Sequence, residues 1–394
     1  MTSSTTPADQ ALDAALIRRC CELAEQAAGH TAPNPLVGSV ITQPSQKPTT
    51  SIEETIVGEG FHPKAGEPHA EIFALRAAGS QAAGGTLYVN LEPCNHTGLT
   101  PPCSDALIKA GIRRVVIGMR DPNPKASGGI KKLKAAGIEV SVGIEEARCR
   151  QLNEAFLHRI QHRQPFGILK YAMTLDGKIA TTTGHSAWVS GPQSRQWVHQ
   201  LRSRCDAVIV GGNTVRKDNP NLTSHGQGDH NPLRVVMSRQ LAVPTSANLW
   251  QTNIAPTLVI TQTSAEVTTV EALAQQGVEI VQLSQLTPQT ANEVLYERGC
   301  MSVLWECGGT LAAEAIAANV IQKVCAFIAP KFIGGKSAPT PIGELGLEKM
   351  TDAKMLSALS VESIGNDILL QGYLEIKSGE KTQEKHSEER TQAI

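Results

Sequence analysis

The sequence predicts two consecutive layered α/β domains. Its 394 residues exceed the usual size of one domain, so two cores are expected. From Val37 to Val142 short apolar runs of strand character alternate with helical patterns. A polar stretch then ends at Pro165, and a fresh apolar strand at Gly167 begins a second alternation. The expected organisation is a first domain over 1–148, a second over 149–376 and a tail, 377–394. The tail is charged and poor in apolar residues, which predicts disorder.

The first element is a helix over Asp9 to Ala28, with Leu12, Leu16, Leu23, Ala24 and Ala27 at near-helical spacing and Gly29 as its stop. Strands follow at Val37–Ile41, Thr55–Gly58, Thr86–Leu91, Arg114–Met119 and Glu139–Val142, with helices after His69, Cys103 and Gly129. Between Gln43 and Glu54 the Pro, Ser, Thr, Gln and Glu content predicts an exposed loop. In the second half Gly167–Ala172, Asp206–Gly211, Arg234–Met237, Thr257–Thr261, Ser302–Glu306 and Val324–Ala329 have strand character. Asp176-Gly177 is a hairpin signal at the end of the first of these.

The formal net charge is −1, which argues against a broad basic footprint for nucleic acid or an anionic membrane and favours small-molecule chemistry. The clusters at Lys131, Lys132 and Lys134, and at Arg202 and Arg204, fit solvated helix faces. Met1 to Gln10 has neither the apolar core of a signal peptide nor the arginines of a transit peptide. No apolar run approaches the roughly 20 residues that span a bilayer. Nine cysteines without a secretory signal predict reduced thiols and a cytoplasmic setting.

One constellation carries hydrolytic chemistry. His69-Ala70-Glu71 opens a helical pattern, Pro93-Cys94 follows a strand, and Cys103 starts another helix. One imidazole and two thiols make three zinc ligands. They leave a fourth tetrahedral position for the water that a hydrolytic zinc activates. Glu71, two residues from His69, is off its helix face and suits proton transfer better than ligation. Zinc deaminases use a carboxylate in this way.

With Pro33-Asn34-Pro35, Gly66-Glu67-Pro68-His69-Ala70-Glu71, Leu91-Glu92-Pro93-Cys94-Asn95-His96, Thr100-Pro101-Pro102-Cys103 and Asp121-Pro122-Asn123-Pro124, the chain closely resembles the bifunctional deaminase-reductase family of riboflavin biosynthesis. The resemblance spans nearly the whole chain. It implies an N-terminal cytidine-deaminase-like three-layer α/β domain and a C-terminal dihydrofolate-reductase-like α/β domain. It also implies deamination of 2,5-diamino-6-(5-phosphoribosylamino)pyrimidin-4-one to the corresponding uracil, then NADPH-dependent reduction of the ribosyl to a ribityl side chain. Asn34, His62, Asp121 and Asn123 become substrate contacts by the same resemblance. Read alone, Asn34 and Asn123 beside their prolines fit turn positions better than substrate contacts. Where the family usually has Lys or Arg between the cysteines, this chain has Leu99, which removes a cation that could meet a substrate phosphate. The Gly-rich stretch Ser127-Gly128-Gly129-Ile130 is one residue shorter than the family's.

The second half carries Lys170 to Lys178, Gly211-Gly212-Asn213-Thr214 after a strand, Asp218-Asn219-Pro220-Asn221-Leu222-Thr223, and Trp305-Glu306-Cys307-Gly308-Gly309-Thr310-Leu311 joining a strand to a helix. Glycines at such a turn let backbone N–H groups approach a phosphate. Resemblance to the family's reductase domain implies NADPH contacts at Ala172, Trp188, Thr214, Asp218, Gly308, Gly309, Thr310 and Leu311. It implies substrate contacts at Lys170, Ser186, Arg202, Leu222, His225 and Glu306, and a homo-oligomer. His225 stands where many relatives have Arg. Trp188 and Arg202, taken singly, also fit core packing and a surface charge.

Three other readings remain at this level. The chain could work in one half only, with a deaminase weakened by Leu99. It could act on nucleic-acid bases, against which the near-neutral charge and sparse aromatics argue. It could be a zinc-stabilised scaffold, although such a site needs no proton shuttle beside it.

Overall fold

A computed structural model describes residues 7–43, 55–97 and 101–375. Leu99, most of the predicted 43–54 loop and the 377–394 tail lie outside the described residues. The chain divides into two compact units, Met1–Gly167 with Arg195–Cys307, and Ile168–Ser194 with Gly308–Ile394.

The chain begins with α1 (Pro7–Glu25), β1 (Gly38–Thr42), β2 (Ile56–Phe61), α2 (Ala70–Ala78), β3 (Thr86–Leu91), α3 (Cys103–Lys109), β4 (Arg114–Met119), α4 (Gly129–Ala135), β5 (Glu139–Val142), α5 (Glu146–Leu152) and α6 (Glu154–His162). The five strands form one sheet in the order β2-β1-β3-β4-β5. Alternation along the strands sends side chains to two cores. Val40, Tyr88 and Val116 pack with Leu16, Ile17 and Phe156 from α1 and α6. Ile41, Leu87, Val89, Val115 and Ile117 pack with Ala74, Leu107 and Leu133 from α2, α3 and α4. Helices therefore cover both faces. The polar stretch before Pro165 folds as two helices, broken at Asn153, whose side chain accepts from Leu36 N–H at 2.8 Å and donates to Leu36 O at 2.9 Å.

There follow β6 (Phe166–Thr174), α7 (Pro192–Arg204), β7 (Ala207–Gly211), α8 (Gly212–Asp218), β8 (Leu233–Met237), β9 (Thr257–Gln262), α9 (Val267–Gln275), β10 (Glu279–Leu283), α10 (Pro288–Glu297), β11 (Ser302–Trp305), α11 (Gly309–Ala317), β12 (Lys323–Ala329), β13 (Leu356–Ile364) and β14 (Asp367–Leu374). In the first unit β10-β9-β8-β7-β11 run parallel, as strands connected by helices do. In the second unit β6 pairs parallel with β12, and β14 and β13 continue antiparallel. Asp176-Gly177 makes a turn, Gly177 N–H to Thr174 O at 2.9 Å, but no strand returns from it. The Asp176 carboxylate instead accepts from Gly334 N–H at 2.7 Å. Among the described residues no helix is long and apolar enough to cross a membrane.

Candidate active site

β1 runs antiparallel to both β2 and β3, and β4 parallel to β3, so β2, β3 and β4 end on one edge of the sheet. Ligands of open α/β sheets gather beyond such carboxyl ends. Here His69 leads from β2 into α2, Cys94 follows β3, Cys103 begins α3 and Asp121 follows β4. Glycines on β2 let α2 lie close against the strand. A Cβ at Gly60 would fall 2.4 Å from Phe73 Cβ, and one at Gly58 2.4 Å from Ala74 O, so a side chain there would push His69 and Glu71 off the sheet.

His69 Nδ1 lies 3.2 Å from Cys103 Sγ and 3.5 Å from Cys94 Sγ. Cys103 N–H donates to Cys94 Sγ at 3.3 Å, and the three ligand atoms lie within 4.8 Å of one another. One nitrogen and two sulfurs, three side chains and not four among the described residues, fit a zinc ion that keeps an open position. The sulfurs share protons unequally: the Cys103 side chain holds Cys94 low, and Cys94 together with burial pushes Cys103 up. A cation between them would favour two thiolates. Glu71 sits in the first turn of α2 with 3% exposure. Burial and then the Cys94 sulfur push its carboxyl up.

Asn34 and His62 come together. Pro68 O can only accept, so His62 Nδ1 carries the proton that bonds it at 3.0 Å, and Nε2 accepts from Asn34 Nδ2 at 3.0 Å. The ring stands edge-on to His69 at 5.4 Å, and burial pushes its pKa down. Asp121 and Asn123 form successive turns, Asp121 Oδ1 accepting from Asn123 N–H at 2.8 Å and Asn123 Oδ1 from Lys125 N–H at 3.1 Å. Burial pushes the Asp121 carboxyl up to about 6.

Sequence reasoning missed three positioning residues. Glu92 Oε1 accepts from Gly128 and Ile130 N–H, both at 3.0 Å, and Oε2 from Asp121 N–H at 3.3 Å, so it ties the 121–130 loop to the end of β3. Asn90 donates to Leu36 O and accepts from Gly38 N–H, and with Asn153 it anchors the segment that carries Asn34. An asparagine inside the apolar run Thr86–Leu91 is the one signal that could have exposed this. The lysine cluster keeps the solvated helix face expected of it, with Lys131 and Lys134 exposed. Lys131 and Lys134 join Arg120 and Asp121 in lining a cavity of about 450 Å³, while Lys132 pairs with Asp105 at 2.6 Å.

Of the residues that the resemblance assigns to reduction, Arg202 and Glu306 in the first unit form a two-bond ion pair, Nε–Oε1 2.6 Å and NH2–Oε2 3.0 Å. Arg202 NH1 also donates to Thr223 O at 3.0 Å, beside the buried Leu222. Leu222 has φ +54 and His225 φ +49, left-handed values that a tightly folded loop imposes. His225 stacks on His199 at 4.2 Å, and burial and then Arg202 push its pKa down. Thr214 and Asp218 lie on α8. In the second unit Lys170 and Ala172 lie two apart on β6, so they share a face. Ser186 is half-buried, and Trp188 is 69% exposed with its carbonyl accepting from Lys331 Nζ at 2.8 Å. Gly308, Gly309, Thr310 and Leu311 form the start of α11. A Cβ at Gly308 would meet nothing within 4 Å, which leaves room for a phosphate at the helix N-terminus, whereas at Gly309 it would lie 2.6 Å from Thr340 O. The Gly308 turn at the start of α11 fits a phosphate group. All nine cysteines are free thiols.

Fold and donor set together define a zinc-binding deaminase region joined to a second α/β enzyme domain. Residues 10–119 match the cytidine and deoxycytidylate deaminase zinc-binding region, and residues 165–370 match the RibD C-terminal domain. The riboflavin biosynthesis protein RibD of Synechocystis sp. is 60% identical, covering 91% of this chain and 95% of that one. The solved structure of Acinetobacter baumannii RibD superposes with TM-score 0.81 at 35% identity, covering 93% of this chain and all (100%) of the other. A Thermotoga maritima structure, described as a diaminohydroxyphosphoribosylaminopyrimidine deaminase/5-amino-6-(5-phosphoribosylamino)uracil reductase, gives 0.82 at 34% identity, covering 93% and 99%. The chain belongs to the RibD family of riboflavin biosynthesis proteins. Its fold is a cytidine-deaminase-like domain followed by a dihydrofolate-reductase-like one.

Proposed function

We propose that this chain performs two consecutive steps of riboflavin biosynthesis. The first is hydrolytic deamination of 2,5-diamino-6-(5-phosphoribosylamino)pyrimidin-4-one to 5-amino-6-(5-phosphoribosylamino)uracil. The second is NADPH-dependent reduction of the ribosyl to the ribityl chain. The carrying observation is the buried Glu71 beside three donor atoms that lie within 4.8 Å of one another. We assign the deaminase to residues 1–148 and the reductase to 149–376.

His69, Cys94 and Cys103 would hold zinc, which when bound supplies Lewis-acid activation of water. Glu71 takes a proton from the attacking water and delivers protons to the ring nitrogen and the departing amine. Its burial supports this role, because a raised pKa brings a carboxyl closer to the working pH of an acid–base group. Asn34 and His62 read the pyrimidine edge from a fixed tautomer. Asp121 and Asn123 contact the ribosyl hydroxyls.

NADPH, when bound, supplies the hydride that C1 of the opened sugar receives. Gly308 to Leu311 present backbone N–H groups to its phosphate, and Ala172, Trp188, Thr214 and Asp218 line its other contacts. Lys170 holds a proton for the reduced carbon's substituent, while Ser186, Arg202, Leu222, His225 and Glu306 orient the substrate. A cytoplasmic setting agrees with nine free thiols. A homo-oligomer agrees with exposed Leu359 and Val361 on the edge strand β13.

Purified protein given the diaminopyrimidine phosphoriboside should release ammonia without NADPH and oxidise NADPH only afterwards. Glu71→Gln should keep its zinc and lose ammonia release, yet still oxidise NADPH with the deaminated substrate. Undiminished ammonia release would refute the role of Glu71, and ammonia release without NADPH oxidation would refute the second step.

A further inference from the structure

His30 and the pair Asp229-His230 lie far apart in sequence and have no part in the reaction proposed above. His30 follows α1 in a turn, its N–H donating to Ala27 O at 3.0 Å, and Asp229-His230 sits in the loop before β8. His30 Nε2 lies 2.8 Å from Asp229 Oδ1, the two imidazoles are 4.8 Å apart at their centroids, and one donor atom from each of the three residues falls within 4.8 Å of the others.

We propose that His30, Asp229 and His230 form a second metal site, distinct from His69, Cys94 and Cys103, that binds a first-row divalent transition ion. Two imidazoles and a carboxylate select zinc, cobalt or nickel over magnesium and calcium, which prefer all-oxygen shells. An ordinary ion pair accounts for His30 and Asp229 but not for the third side chain. His230 Nδ1 is buried with no hydrogen-bond partner, a condition that native structures usually relieve with an ion or a water.

The backbone holds the three donors in place. Gly29, at φ +88, lets the His30 turn press on its neighbours: a Cβ there would fall 2.3 Å from Ser203 O and 2.4 Å from His230 Cε1. On the other side Asn231 Oδ1 accepts from Ser224 N–H at 2.8 Å and from Ser224 Oγ at 3.0 Å, and its amide donates to Ile254 O at 3.2 Å, which fixes the residue next to His230. The Asp229 side chain is 82% exposed, so an ion arrives from solvent and water can complete its shell. Such an ion would cross-link positions 199 residues apart and so stabilise the folded chain.

Cobalt titration of the metal-stripped, full-length protein tests this. Two equivalents per chain are expected. One shows the thiolate-to-cobalt charge-transfer band that Cys94 and Cys103 would give, and the other lacks it. His30→Ala and His230→Ala should each bind one equivalent with the thiolate band intact. Asp229→Ala, at an 82% exposed side chain, should weaken only the band-free equivalent, by roughly tenfold or more, the loss that even an outer-shell partner brings. A single equivalent in the unaltered protein, or a band-free equivalent unchanged in all three variants, overturns the site.

Discussion

Asn34 donates through Nδ2 to Nε2 of His62, 28 residues away, at 3.0 Å, and this bond leaves the imidazole in one tautomer. The other nitrogen is already committed to Pro68 O. The pair is therefore a fixed hydrogen-bonding edge beside His69, and the cost of disturbing it follows from burial.

Asn34→Ala removes the donor and leaves a buried ring nitrogen unsatisfied, which costs about 1–3 kcal/mol. The expected result is a fall in ammonia release of roughly tenfold or more, since about 1.4 kcal/mol is one decade in rate. NADPH oxidation with the deaminated substrate should be unchanged. Equal loss of both activities would show that the pair serves the fold and not the deaminase edge.

Gly129→Ala strikes the proposed zinc site from behind. A Cβ at Gly129 would lie 1.9 Å from Pro93 O, so either Pro93-Cys94 or the loop bonded to Glu92 must move. Overpacking of this kind costs about 1–3 kcal/mol, and here the strain falls on a backbone one residue from Cys94, a proposed zinc ligand. A lowered denaturation midpoint together with weaker zinc retention is the expected outcome. A variant that is less stable but keeps its zinc affinity would separate packing from ligation.

Arg202→Ala takes from Glu306, about nine-tenths buried, its two-bond ion-pair partner. Breaking a buried pair from one side costs about 3–5 kcal/mol, against less than that for Arg202→Lys, which keeps the charge but loses the two-bond fork. Thermal unfolding should rank the unaltered protein above Lys and Lys above Ala, and reductase activity should fall in the same order. Ammonia release by the folded Lys variant should stay near normal.

His158 makes stability depend on pH. It is 8% exposed, its Nε2 has no hydrogen-bond partner, and burial, with His162 nearby, pushes its pKa down to about 4 from 6.5. Between those values the unfolded chain binds more protons than the folded one, so stability is complete above 6.5 and falls as pH drops toward 4. The full loss from this group is about 3 kcal/mol, because each tenfold difference in proton affinity between the folded and unfolded chains is worth about 1.4 kcal/mol. Denaturation midpoints at pH 7 and pH 5 should differ less in His158→Phe than in the unaltered chain. Identical differences would remove His158 as the source.

The clustering of His69, Cys94 and Cys103, the proposed zinc ligands, was legible in the linear chain because it depends on residue types placed at local landmarks: His69 before a helix, Cys94 after a strand, Cys103 at another helix start. Buried strands were legible for a similar reason. β3 and β4 match the expected Thr86–Leu91 and Arg114–Met119 because apolar character there reflects burial, and β5 matches Glu139–Val142 although none of its residues is fully buried. β13 escaped, since nearly all of it is exposed and its side chains follow no core-facing pattern, although Gly365-Asn366 between it and β14 was a usable turn signal.

By itself, then, the order of residues determined the chemistry available and the alternation of elements, since both arise from side-chain type and short-range periodicity. Only the tertiary structure decided who pairs with whom: Glu92 with the N–H groups of Gly128 and Ile130, Asn153 with Leu36, Arg202 with Glu306 across 104 positions. Those bonds join residues that chain proximity does not relate, and a buried donor or acceptor takes whichever partner the packed layers bring within about 3 Å of it.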